Sequence, residues 1–499
     1  MNLPKHILSF FICLTIFSCS YDFPEKYEYS PKDLGEINLE KPVFAGDDYL
    51  AGLMDGALYS RGQQNSVASI ISSQFKLVSK TELIQPEINS ENGLNLYTSI
   101  QNEIVGKWIY EFSETSGDVP QMKLTKGEQI ADFRGDINKI NDLSVPVLRM
   151  NQVNSTELSA NPFFKRIASS PVNSYTAEVV QRNPTFVVLW LGMNDILDYA
   201  IHGAVGNPDS DENSVGSNRN MTSVENFRSN LIELTGELLR NPDCKLVIGN
   251  LISIKSLPFF YSQPYNGLFL DNDELLKASA KYTRFNEAVA IYNRTVPEEL
   301  KRPFIDFYDN GYNMSPQPLV VIDNLLPDAF YPDGKVLEKY RQLNQNEMVF
   351  YNVTGEMLEM GYGSTIPISK QYYLNEKDIE LIEQRISDFN AVFAEMSNVH
   401  PERIVIADIK SLVEPVAETG KTDAWGNPLN KEIFYFDGVP VEGSLGINSI
   451  FSLDGLHFNP RGNAFAANGF IEAVNRGFGA NFPMVDINKY IGNVYSFSF

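Results

Sequence analysis

Short apolar runs separated by amphipathic stretches set the rhythm of this chain. The runs at 43–45, 145–148, 185–191, 245–251 and 403–409 predict buried β-strands, being too short and too uniformly apolar for surface helices. Apolar positions recurring every three to four residues predict helices at 66–75, 224–239, 273–293 and 376–396, with a last one at about 461–475. Strands alternating with helices predict an α/β sandwich around a parallel sheet. Three stretches break the rhythm and read as insertions: about 76–132, the Gly/Asn/Ser-rich 203–220, and about 297–373, which is long enough for a lid or small subdomain. Aromatic residues concentrate at Leu257-Pro258-Phe259-Phe260-Tyr261 and Met348-Val349-Phe350-Tyr351, where they either line an acyl pocket or pack as core.

The N-terminus has a different pattern. Lys5 and His6 precede an apolar run, 7–18, that is too short to span a bilayer and reads as the core of a signal peptide covering 1–18. It ends at Ser18-Cys19, a small residue before cysteine, which resembles a bacterial lipobox and implies lipidation of Cys19. The polar tract to residue 40, rich in Glu, Tyr, Pro and Lys, then reads as a tether, so that 19–40 links a membrane anchor to a domain spanning 41–482, followed by a tail, 483–499.

Composition narrows the partners. The 499 residues are 43% hydrophobic, enough for a large core, and carry a formal charge of −23. Such an excess of acid argues against a nucleic-acid partner and repels anionic lipid, so membrane attachment rests on the anchor. Beyond the signal, only Cys19 and Cys244 remain, which precludes a disulfide framework, and Cys244 opens a strand candidate, where packing is its expected role. The histidines are scattered, no Cys/His cluster has metal-ligand spacing, and no cofactor is implied.

Three short segments carry the candidate chemistry: Gly46-Asp47-Asp48 after the first strand, Gly192-Met193-Asn194-Asp195 after the third, and Asp454-Gly455-Leu456-His457 near the end. Each alone is an ordinary turn or cap, but their order and placement resemble the SGNH/GDSL hydrolases, in which the first block reads Gly-Asp-Ser or Gly-Asn-Ser. The surroundings, 55–66, Asn161-Pro162-Phe163-Phe164 and 451–457, look like GDSL-type lipoproteins of Bacteroidetes. The resemblance implies a flavodoxin-like three-layer sandwich with a five-stranded parallel sheet and its site at the carboxyl ends of the strands. It also implies an outer-membrane, lipid-anchored location on the periplasmic or cell-surface face, and acyl-ester or acetylated-glycan ligands.

Carried over residue by residue, the resemblance makes His457 the general base, Asp454 its orienting carboxylate and Asn194 an oxyanion donor. Two positions depart. Asp48 stands where the nucleophilic serine belongs, and Val147, in Asn141-Asp142-Leu143-Ser144-Val145-Pro146-Val147, stands at a donor glycine, where a branched side chain resists positive φ. A carboxylate beside His457 forms an ion pair, raises the imidazole pKa and puts negative charge where an oxyanion must develop. The expectation is a lost or strongly impaired serine-type activity and a binding or accessory role with an outer-membrane protein partner. Two alternatives stay open: surviving ester hydrolysis, and a hydrolase in which Asp48 itself is nucleophile or water-positioning group.

Overall fold

Phe186–Trp190 is apolar from end to end and buried along its whole length, the mark of a central parallel strand covered on both faces. We label it β2. It lies between β1 (Pro42–Gly46) and β3 (Lys245–Gly249), with β4 (Ile404–Ala407) beyond β3, and all four run parallel in the order β1-β2-β3-β4. Phe44 pairs with Val188, Val188 with Val247, and Val247 with Val405. The computed structural model describes residues 33–497 except 99, 113–120, 217, 310–313 and 437, so the signal segment, Cys19 and the start of the tether lie outside the described residues.

The helices include α1 (Asp48–Ala51), α2 (Val67–Lys76), α3 (Asn194–Ala200), α4 (Val224–Leu239), α5 (Asn272–Asn293), α6 (Glu376–Val399), α7 (Ile409–Glu418) and α8 (Pro460–Phe478), with other short ones at Ser60–Gln64, Tyr175–Gln181 and Gly355–Glu359. Their starts follow from side chains that satisfy orphan amides: Ser66 caps α2, Ser223 caps α4, Asn375 and Asp378 form a capping box on α6, and Asn459 caps α8 ahead of Pro460. Helix α8 packs on α2 and α7, α6 packs on α4, and both α6 and α8 cover β4. Phe227 of α4 stacks on Phe389 of α6 at 3.8 Å, and Trp190 of β2 meets Phe470 of α8 at 5.3 Å.

Among the described residues the central sheet has four strands, not the five expected. Residues 145–148, expected as a strand, form a turn, because Pro146 has no N–H to give a ladder and Val147 sits at φ 55°. The stretch just before it still runs parallel along the free edge of β1: Phe44 N–H donates to Asn141 O, while Leu143 and Val145 donate to Phe44 O and Gly46 O.

The insertions have their own order. Residues 105–112 and 121–126 pair as an antiparallel hairpin, and 495–497 of the C-terminal tail joins it in parallel. The longer insertion starts well before 297. Leu275, Ala278, Tyr282, Phe285 and Val289 of α5 pack with Leu319, Val320, Val321 and Leu337 in two small cores separate from the one around the sheet. Helix α5 therefore belongs to this unit and is no crossover of the sheet. At the other end, the tether is shorter than expected: Ile37 and Leu39 are buried against the main core, and Glu36 N–H bonds to Phe478 O. Among the described residues no helix is long and apolar enough to cross a membrane.

Candidate functional site

All three motif segments converge at the carboxyl ends of β1 and β2. Asp47 follows β1 and caps α1, accepting from Tyr49 N–H at 3.2 Å and Gly192 N–H at 3.1 Å, which ties the first segment to the second. Burial, then the neighbouring charge of Asp48, pushes the Asp47 carboxyl well above the ordinary range. Asp195 ties the second segment to the 142–152 stretch through Met150 N–H at 2.6 Å and Asn151 N–H at 3.2 Å, and also accepts the Thr222 hydroxyl at 2.7 Å; burial outweighs these bonds and raises it to about 6. Asn161 holds the same stretch by donating to Pro146 O at 3.0 Å.

These scaffolding bonds set the surroundings of Asp48. Its Oδ1 accepts Val147 N–H at 2.7 Å and its Oδ2 accepts Asn194 Nδ2–H at 2.6 Å. One carboxylate thus takes both groups read from the sequence as oxyanion donors. Valine at φ 55° is a costly conformation for a β-branched residue, about 1–3 kcal/mol, yet its backbone N–H still points where a glycine's would.

On the other side stands the third segment. His457 Nδ1 lies 2.9 Å from Asp454 Oδ2, and His457 Nε2 lies 3.7 Å from Asp48 Oδ2. Tyr97 spans that gap, its hydroxyl 3.3 Å from Asp48 Oδ2 and 3.3 Å from His457 Nε2. Asp454 also accepts Gly56 N–H at 2.7 Å, His457 N–H at 2.9 Å, Leu456 N–H at 2.8 Å and the Ser452 hydroxyl at 3.0 Å. Gly455 is at φ 69° against the Phe259 backbone, where a Cβ would come within 2.7 Å of Phe259 N, so only glycine fits between the acid and the histidine.

The electrostatics follow from this packing. Side chains of Asp48 and His457 are 0% exposed. Burial opposes a charged imidazole, but the Asp454 carboxylate and its hydrogen bond, reinforced by Asp48, hold His457 at about 10. Burial likewise opposes a charged Asp454, and the facing imidazolium outweighs it, bringing that carboxyl down to about 2. At neutral pH the ring is a cation between two acids; it can donate a proton and has no free lone pair with which to take one.

Compared with protein-family models, with curated proteins and with solved structures, the chain matches none.

A cavity of about 230 Å³ opens beside this centre, walled by Tyr97, Val147, Asn194, Leu197, Arg149 and His202. His202, which no motif marks, is held by Asp198, whose side-chain hydrogen bond raises the imidazole pKa. The two aromatic runs do not line this cavity. They pack on each other, Phe259 against Phe350 at 5.1 Å and Phe260 against Phe350 at 5.4 Å, and Tyr351 N–H bonds to Phe259 O, which seats the long insertion against the Asp454 loop. Cys244 is buried, with its thiol pushed up to about 12 by burial. Among the described residues no three His, Cys, Asp or Glu side chains are grouped to hold a metal ion.

Tyr97 is the residue that sequence reasoning missed. It belongs to an insertion with no periodicity, and nothing local marks it; only the pairing of Leu94–Asn95 with Ala57–Leu58 brings it over the site. The scaffolding roles of Asp47 and Asp195 were visible as motif letters, but the bonds that they make were not.

Proposed function

We propose that this chain is an outer-membrane lipoprotein, anchored through Cys19, whose domain is a catalytically silent relative of the SGNH/GDSL hydrolases and acts by binding, as an accessory subunit of an envelope complex. The observation that carries this reading is the Asp48 carboxylate seated on both Val147 N–H and Asn194 Nδ2–H. A tetrahedral oxyanion needs those donors empty, and a general base needs a neutral histidine. Neither condition is met at neutral pH.

Support for the fold comes from the edge of β1. Counting 141–145 as a strand gives the order 2-1-3-4-5, the doubly wound arrangement in which ligands sit at the carboxyl ends of strands beside the point where the order reverses. Asp48 and Asn194 follow the two strands that flank that point.

Hydrolysis of short- and long-chain aryl esters by the purified protein tests the reading, run beside Asp48→Ser and His457→Ala. The expected result is an inert wild type and a serine variant whose turnover disappears when His457→Ala is added. Wild-type hydrolysis that depends on His457 would give Asp48 a catalytic role and sink the proposal.

A further inference from the structure

The second region with ligand-like chemistry lies away from the Asp48 centre, where the long insertion meets the main domain. A groove of about 530 Å³ runs between residues 260–266, 345–348, 421–424 and Leu429. Clefts at such junctions are common ligand sites. Among the described residues, the side-chain amides of Gln263, Asn266 and Gln345 and the hydroxyl of Tyr265 line it without any hydrogen bond to the protein. Asn459, buried in the main domain, shows the contrast: its Nδ2 reaches Ser449 O, Phe451 O and Asn493 Oδ1.

Aromatic side chains in and beside the groove are held in place. Tyr261 is anchored through its hydroxyl to Gly443 O at 2.5 Å. Trp425, next to the lining residue Ala424, leans on Phe269 with ring centroids 4.9 Å apart, and its backbone N–H is fixed by Asp423 at 2.9 Å. Even so, Trp425 is 56% exposed. An indole, with an apolar face and an N–H edge, suits a flat, amphipathic cover.

Charge narrows the ligand. Lys421 is paired with Glu418, and Glu347 with Arg341, which leaves Lys255 and Asp423 to cancel each other on a strongly acidic protein. A phosphate or polyanion finds no cluster of cations here, and an acyl chain finds too many amides. An amide presents a donor and an acceptor side by side, as do the adjacent hydroxyls of a pyranose, while the C–H face of the same ring covers an indole or phenol.

We propose that this groove is a saccharide-binding site for an uncharged oligosaccharide, with Gln263, Asn266 and Gln345 reading ring hydroxyls and Trp425 and Tyr265 stacking on sugar faces. The inference rests on reading the domain as a binding module and assigns it a ligand class and a place.

The test is titration of the purified chain with maltohexaose, cellohexaose, xylohexaose and chitohexaose, and then a glycan array, followed by tryptophan fluorescence and calorimetry. The expected result is saturable binding of at least one glycan, weakened about tenfold or more by Trp425→Ala at unchanged melting temperature and also by Tyr265→Ala, whose ring packs on the core of the insertion. Gln263→Ala gives a second reading should either aromatic variant unfold. Binding that all three variants leave untouched places the sugar elsewhere and overturns the proposal. So does the absence of any glycan bound more tightly than roughly 10 mM. Ester turnover by the wild type would overturn the reading of the Asp48 centre and leave these outcomes as they stand.

Discussion

At the carboxyl ends of β1 and β2, acids, amides and a histidine are bonded to one another, whereas in the groove beside the long insertion the amides of Gln263, Asn266 and Gln345 face solvent with no protein partner. The two regions are built from similar residue types. What differs is where the partners come from. A polar group taken fully out of water must be paired inside the fold, so the buried Asp48–His457–Asp454 cluster contributes to architecture whether or not it ever meets a ligand. An amide at the lip of a groove keeps its water until a ligand replaces it. The comparison teaches that a motif's letters mark a place in the fold, and that the unused bonding capacity around it is the better sign of binding.

The sharpest way to break this comparison is to free the donors. Asp48→Ser releases Val147 N–H and Asn194 Nδ2–H and removes one of the acids that raise the His457 pKa. Aryl-ester hydrolysis is expected to rise above wild type by roughly 10²–10³-fold, the scale of oxyanion-donor effects. A serine variant as inert as the wild type, though folded, would mean that more than one group has been lost.

Next in size is the cost of unpairing. His457→Ala leaves two buried carboxyls without their shared cation, and urea unfolding is expected to show a loss of about 3–5 kcal/mol. A loss below about 1 kcal/mol would show that the pairing contributes little.

The same pair predicts a pH dependence of sign opposite to that of acid denaturation. His457 has a folded pKa of about 10, above its unfolded value, so its stabilisation is fully present below about 6.5 and is lost as pH rises through about 10. Unfolding free energy measured between pH 7 and 10.5 should fall by about 2–5 kcal/mol, and by clearly less in Asp48→Asn. A flat profile would remove the ion pair from the account.

Smaller still is the strain at Val147. Val147→Gly keeps the backbone N–H that Asp48 uses and relieves a β-branched residue at φ 55°. The relief is partly offset by glycine's greater freedom when unfolded, so a net gain of about 0.5–1 kcal/mol is expected in urea. Destabilisation would mean that the valine side chain packs better than its backbone suffers. Gln263→Ala in the groove should change stability by less than about 0.5 kcal/mol, since that amide bonds to nothing in the protein.

Much of the frame was legible. The apolar runs of β1, β2, β3 and β4 and the periodicity of α2, α4, α6 and α8 read directly, because burial on both faces or on one stripe leaves a mark within a few residues. The run at 145–148 misled for the same reason: it is buried, yet Pro146 and a left-handed Val147 turn it out of the sheet, and apolarity does not report φ. Helix α5 misled because an amphipathic pattern says that a face is covered without saying by what.

For the candidate site, the sequence by itself determined which groups exist: an acid at 48, a valine at 147, an amide at 194, an acid and a histidine three residues apart at 454 and 457. Only the tertiary structure decided that Val147 N–H and Asn194 both close on Asp48, that Tyr97 lies over the gap to His457, and that Gln263 and its neighbours are left unpaired in a groove. The physical reason is that hydrogen bonds form between atoms a few ångströms apart, contributed here by residues 49 to 360 positions apart in the chain. Residue identity sets what a group can donate or accept, and the packing of the sheet, its helices and the insertions sets whether any partner is within reach.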